Sequence, residues 1–243
     1  MKSVIEQGGH AIFFVDGPGG IGKTFLYRAI LASLRSAGHI ALAIATSGIA
    51  STILPGGRTA HLRFKIPLDP DLTSICSVSK QSELEDLLKQ CKTILWDEAS
   101  MANRYAFEAL DRTLRDIMGN DLPFGGKIMI LGGDFRQVLP VVTKGTKHQM
   151  MNACLNKSSL WKSVRILRLT QNMRVINNKD FSDFILRVGD GVECTINDDF
   201  IPPPLIIPWE GEQSIDNLVD YTFPRLSQST KDPEYFVSRA ILA

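Results

Sequence analysis

Residues 17–24 read GPGGIGKT, a complete GxxxxGK[ST] pattern, and that pattern implies a particular chemistry. Gly17, Gly19 and Gly22 let a backbone curl round phosphate oxygens with no Cβ in the way. The loop of Gly17, Pro18, Gly19, Gly20, Ile21 and Gly22 then turns its available amides, with those of a following helix start, toward an anion. Lys23 is placed to reach the β- and γ-phosphates of a nucleoside triphosphate such as ATP, and the Thr24 hydroxyl to ligate Mg²⁺. A second group lies at 94–98, where ILWDE ends an apolar run in two acids. Asp97 would hold the metal, directly or through water, and Glu98 would polarise an attacking water. Alone, such a pair serves equally well as a helix cap; the glycine-rich loop upstream gives it weight. The third group is GGDFRQVLP at 132–140. Gln137 can donate to a γ-phosphate or orient water, and Asp134 can hydrogen-bond in the same cleft. A plain polar exit from a strand is the competing reading.

These groups must be delivered to one place, and the apolar runs say how. Buried strands are expected at 10–16, 40–45, 92–97, 127–132 and 164–169. Helices are expected at 22–37, 81–91 and 103–118. The first of them would bury Phe25, Leu26, Ala29, Ile30, Leu34 and Ala37 by its periodicity. Strands alternating with helices imply crossover connections and an α/β fold, a mainly parallel sheet flanked by helices. Each chemical group follows a strand, and ligands sit at the carboxyl ends of such strands. The fold expected is therefore that of a P-loop NTPase. The pattern weakens after about residue 187, and IPPPLIIP at 201–208 cannot be helical.

The 243 residues are 44% apolar and 22% charged, ordinary for a globular protein and unlike a disordered or collagen-like chain. No apolar run approaches a membrane span, and MKSVIEQGGH is not a signal peptide. Cys76, Cys91, Cys154 and Cys194 show no CxxC spacing and no zinc-like cluster, which fits small structural thiols in a reducing compartment. Residues 1–187 carry 24 Lys/Arg against 16 Asp/Glu, whereas 188–224 carry eight acids and no Lys or Arg. Either a basic face meets phosphates, or an acidic surface segment lies beside an ordinary domain.

The segments GPGGIGKT, ATSGIAS, GGRTAH, WDEAS, EALDRTLRDIM, GGDFRQVLPVV and LTQNMR together resemble the Pif-one-type DNA helicases, most closely their plant and Helitron-transposon branch. The resemblance runs from about residue 9 to the end of the chain. It implies a superfamily-one, 5′-to-3′ ATP-dependent DNA helicase whose ATP site is formed on a RecA-like domain, here residues 1–187. It further implies an acidic, proline-containing connecting segment at 188–234 and the start of a second RecA-like domain at 235–243. By resemblance Thr46, Ser47 and Gly48 approach single-stranded DNA. Thr59, His61 and Phe64 belong to the next strand-contacting element, with Arg58, Arg63 and Lys65 adding charge. Gln137 couples phosphate state to DNA grip, and Arg174 reaches the γ-phosphate. Read without the family, Ser47 is a helix cap, His61 a structural histidine, Phe64 core and Arg174 a surface or salt-bridged residue.

The family's adenine-reading glutamine has no match upstream of Gly17, since Gln7 stands too near the first strand. With the second domain only begun, the expectation is a chain that binds ATP weakly, hydrolyses it slowly if at all and does not unwind duplexes alone. Its place would be inside the cell, in the nucleus or mitochondrion, in repair, recombination, telomere maintenance or transposition. Two other classes compete. A small-molecule kinase would need an arginine-rich lid, which is not seen. A non-catalytic DNA-binding module fits the missing domain but not the intact Lys23, Thr24, Asp97 and Glu98.

Overall fold

Four strands are runs in which nearly every side chain is buried: β1 (Ala11–Asp16), β2 (Ala41–Ala45), β4 (Thr93–Asp97) and β5 (Ile128–Gly133). Such runs bury both faces, as parallel strands under crossover helices must. With β3 (Arg58–Thr59) and β6 (Val164–Arg168) at the edges they form one sheet of order β3-β2-β4-β5-β1-β6, every pair parallel. The computed structural model describes residues 9–173, 179–195, 201, 211, 213–226 and 233–237. The helices are α1 (Lys23–Ser36), α2 (Gly48–Ile53), α3 (Ala60–Phe64), α4 (Glu83–Gln90), α5 (Arg104–Met118), α6 (Lys147–Asn152), α7 (Lys179–Asp190), α8 (Gln213–Thr222) and α9 (Pro233–Val237).

The chain divides into two compact units, residues 1–193 and 194–243. The first holds the sheet and α1 to α7, and α7 continues to Asp190, past the change of pattern at 187. The second holds α8 and α9, with Phe223, Tyr235 and Phe236 in mutual ring contact. Most of the proline run at 201–208, and the last six residues of the expected second-domain start, lie outside the described residues. Among the described residues no helix is long and apolar enough to cross a membrane, and Cys76, Cys91 and Cys154 are buried free thiols.

Strand alternation sorts the core into two layers. Ile12, Phe14, Ile44, Ile94, Trp96, Met129 and Leu131 face α5, where Phe107, Leu110 and Leu114 pack with Phe64 and Phe124. Phe13, Val15, Ala43, Leu95, Ile128 and Ile130 face α1. The face that α1 turns inward is not the one its apolar pattern suggests. Its buried residues are Lys23, Tyr27, Leu31 and Leu34. Leu26 and Ile30 flank them, Ala29 and Ala37 face out, and Phe25 is 80% exposed. The cause is Lys23, which the preceding loop holds inward. Positions four and eight residues further on must then follow it.

The fit beneath α1 is tight. A Cβ on Gly132 would overlap the Tyr27 hydroxyl; on the opposite face of the sheet, one on Gly133 would lie 2.8 Å from Ser100 Cβ. Strand and long-helix boundaries differ from the sequence reading by a residue or two. The reading does not contain β3, α2, α3, α6, α7, α8 or α9; all but α7 and α8 are too short for periodicity to register.

Gly132→Ala should therefore destabilise the fold by about 1–3 kcal/mol through overpacking. Gly48→Ala, where an added Cβ meets nothing within 4 Å, should stay within about 0.5 kcal/mol. Urea unfolding of the two variants beside the parent chain measures both.

Candidate active site

The carboxyl ends of the inner strands are level: Asp16 pairs with Gly133, and Ala45 with Asp97. Every chemical group of the sequence leaves the sheet at this edge. The loop 17–22 turns from β1 into α1 with Gly22 as the helix cap, in the left-handed region at φ 85°, where a Cβ would be strained. Gly22 brings no side-chain cap, so it satisfies none of the first-turn amides of α1 itself. A Cβ on Gly17 would strike the Ile21 side chain and lie 2.9 Å from the Leu169 carbonyl. The loop also rests on the chain beyond β6, since the Met173 amide donates to Gly20 O at 2.8 Å.

Lys23 is 9% exposed, and its ammonium donates to Gly17 O at 2.5 Å and Pro18 O at 3.0 Å. It folds back across the mouth of its own loop, where an anion would compete for it. Asp97 is buried at the end of β4, and its Oδ1 accepts from the Glu98 amide at 2.9 Å. Glu98 sits in the left-handed region at φ 53°, a strain of about 1 kcal/mol for a side chain of this type. Its Oε2 is buried with no hydrogen-bond partner among the described residues. Burial raises the pKa of Asp97, against the neighbouring charge of Lys23. Burial, then the charge of Asp97, raises that of Glu98.

The third group closes the cleft. Ser100 Oγ donates to Asp134 O at 3.2 Å and accepts from its amide at 3.1 Å. Asp134 Oδ1 accepts from the Arg136 amide at 3.0 Å, and Arg136 Nε pairs with Asp190 of α7 at 2.5 Å. Gln137 is exposed on this loop. Lys23, Thr24, Asp97, Glu98 and Gln137 thus surround one cleft of about 320 Å³. Arg174 lies outside the described residues.

The donor set fits a magnesium nucleotide. A hydroxyl and carboxylates are hard oxygen ligands, and Mg²⁺ keeps several waters rather than demanding an all-protein cage. The orphaned Glu98 oxygen and the glycine cradle also suit a site built for a polar, phosphate-bearing guest.

The residues assigned by resemblance to DNA are brought to one corner, because Ala45 pairs with Thr59. Their side chains have internal duties as well. Thr46 Oγ1 donates to Glu98 O at 2.7 Å and accepts from Trp96 Nε1 at 3.0 Å. Ser47 caps α2 through the Ala50 amide, and Thr59 caps α3 through the Leu62 amide. Gly48, Arg58 and Lys65 face solvent. His61 is half-buried, and burial lowers its pKa. Phe64 is a correction: it is 0% exposed within the layer under α5, so its ring offers no face to a base.

Sequence reasoning missed Met173, which lines the cleft, the Ser100 bridge, the Arg136–Asp190 tie and Tyr27. Only Tyr27 left a usable signal, since it stands one helical turn after Lys23.

Fold and site together define a P-loop NTPase with RecA-like topology. The PIF1-like helicase family model matches residues 1–199, and the chain belongs to that family. It is 34% identical over 163 residues to the human ATP-dependent DNA helicase PIF1, covering 67% of this chain and 24% of that protein. It is 33% identical over 191 residues to the uncharacterized protein 030L of Invertebrate iridescent virus 6, covering 73% and 35%. Pif1 helicase from Bacteroides, in complex with ADP-AlF3 and ssDNA, superposes with a TM-score of 0.67 at 22% identity, over 92% of this chain and 55% of that one. The chain thus spans about a quarter to a third of these two curated relatives and about half of the solved structure.

Because folding raises the Glu98 pKa, the folded chain holds that proton more tightly than the unfolded one. The contribution is full below the ordinary value of 4.5 and is lost as pH rises through the folded value. At pH 7 the charged group therefore weakens the nucleotide-free fold. Glu98→Gln should raise its stability by about 1 kcal/mol at pH 7, with the gain vanishing toward pH 4. Urea melts at the two pH values check this.

Proposed function

We propose that this chain is the first RecA-like domain of an ATP-dependent, 5′-to-3′ DNA helicase acting in the nucleus. The observation that carries the reading is the convergence of Lys23, Thr24, Asp97, Glu98 and Gln137 on one cleft at the carboxyl edge of the sheet. ATP enters with its phosphates on loop 17–22, and Lys23 exchanges its two loop carbonyls for phosphate oxygens. Thr24 and Asp97 hold Mg²⁺, which when bound neutralises the phosphate charge and orients the γ-phosphoryl group. Glu98, already desolvated, has the raised basicity wanted of a group that takes a proton from the attacking water. Gln137, which lines the same cleft, orients that water, and the family resemblance alone assigns Arg174 to the γ-phosphate.

Single-stranded DNA runs past the exits of β2 and β3. The exposed backbone at Gly48, the charges of Arg58 and Lys65 and the edge of His61 support this track, with phosphate contacts that position rather than specify. Thr46, Ser47 and Thr59 contribute through the turns they fix. Translocation needs a second RecA-like domain that closes on the nucleotide and opens on its release. The first domain itself binds Mg²⁺-ATP and turns it over slowly.

ATP hydrolysis with and without a single-stranded oligonucleotide, beside Lys23→Ala, tests this. Slow turnover raised by DNA, and reduced at least a hundredfold in Lys23→Ala, is expected. Nucleotide binding unaffected by Lys23→Ala would remove the cleft from consideration.

A further inference from the structure

Tyr27 is 0% exposed, and its hydroxyl has no hydrogen-bond partner among the described residues. Burying an unpaired hydroxyl destabilises a fold, because the water it leaves is not replaced by a partner. Phenylalanine would serve the surrounding apolar layer of Leu31, Leu95 and Ile130 without that penalty. The hydroxyl occupies the place where a side chain on Gly132 would stand.

That place adjoins the catalytic acid. Strands β4 and β5 are paired from Thr93↔Ile128 to Trp96↔Leu131, and one step further along the register sets Asp97 beside Gly132. Leu95 and Ile130 point toward α1, so by alternation Asp97 and the missing side chain of Gly132 point the same way. Neighbouring strands are about 4.8 Å apart, which brings the Tyr27 hydroxyl within reach of the Asp97 carboxylate. The charges of Asp97 and Glu98, after burial itself, also raise the phenol's pKa, so the group stays a protonated donor.

We propose that Tyr27 is a positioning residue: its hydroxyl donates to the Asp97 carboxylate when that carboxylate turns to a divalent cation, and holds it in the ligating orientation. Asp97 Oδ1 is engaged by the Glu98 amide, and Tyr27 takes the remaining oxygen. Lys23 and Tyr27, one turn apart on the same face of α1, then steady the phosphates and the metal's carboxylate from a single rigid element. The inference rests on the reading of the cleft as a Mg²⁺-nucleotide site.

The test is Tyr27→Phe, which keeps the ring and its packing. Thermal unfolding of both chains is followed in EDTA, in EDTA with ADP, and with ADP across a Mg²⁺ titration. In EDTA the variant should melt at or above the parent, because no bond is lost. The added stabilisation from Mg²⁺ should shrink, and its half-saturation point should move up about tenfold, the worth of one hydrogen bond to a charged group. Mn²⁺ binding to the ADP-bound chains, read by electron paramagnetic resonance at low temperature, should show the same weakening without reference to melting. An equal Mg²⁺ increment and equal Mn²⁺ affinity in the two chains would overturn the role of Tyr27. So would a loss of stability already present in EDTA. Absence of any Mg²⁺ increment in the parent chain would overturn the Mg²⁺-nucleotide reading, and this proposal with it.

Discussion

The inward turn of Lys23 governs much of this molecule. A lysine at the first position of a helix would ordinarily reach for solvent. Here the glycine loop curls over it and two loop carbonyls hold its ammonium, which fixes the phase of α1 from its first residue. The helix must then bury Tyr27, Leu31 and Leu34. Tyr27 in turn demands a strand position with no side chain, which Gly132 supplies. The helix can seat only where β5 carries that gap, and the register of β5 on β4 settles where Asp97 emerges. Lys23 and Asp97 are thus placed by one chain of steric requirements.

The same arrangement explains how far the sequence could be read. Long apolar runs bounded by glycine and acidic residues carry a strong signal, so β1, β2, β4 and β5 and the three groups that follow them were legible. The face of α1 was not, because the apolar pattern gives Phe25 and Ala29 the same weight as Tyr27 and Leu31. What separates them is the inward lysine, a polar residue that hydrophobic periodicity counts as outward. Phe64 shows a limit of a different kind. Its place in a motif suggests contact with a strand, but α3 is a single turn whose own aromatic residue is needed to fill the layer beneath α5. Its capping residue Thr59 and the neighbouring His61 remain near the surface.

Stability and chemistry oppose each other at the end of β4. Asp97 and Glu98 are withdrawn from water next to one another, and Glu98 is also held in a backbone conformation that a glycine would adopt more readily. Neither feature helps the chain fold. Both are tolerated because the four inner strands and their two apolar layers supply enough burial to hold the sheet edge rigid. A pair of desolvated acids beside a buried lysine has most to gain from a guest that brings both cation and phosphate. Such a guest would supply charge partners to Asp97, Glu98 and Lys23 at once, and its binding would relieve strain that folding leaves in place.

Thr46 gives this strained edge a mechanical neighbour. Its hydroxyl sits between the Trp96 indole and the Glu98 carbonyl, and its amide donates to Asp97 O. The exit of β2, the element proposed to meet the DNA backbone, is thereby hydrogen-bonded to the very peptide units that place the two acids. A polymer pressing on residues 46–48 cannot shift that turn without shifting the Glu98 backbone, which already sits in a sparsely populated region of φ and ψ. Coupling between strand and nucleotide then needs no long pathway of packed side chains. It needs a single turn whose hydrogen bonds are shared between the two sites, and Thr46 provides that turn.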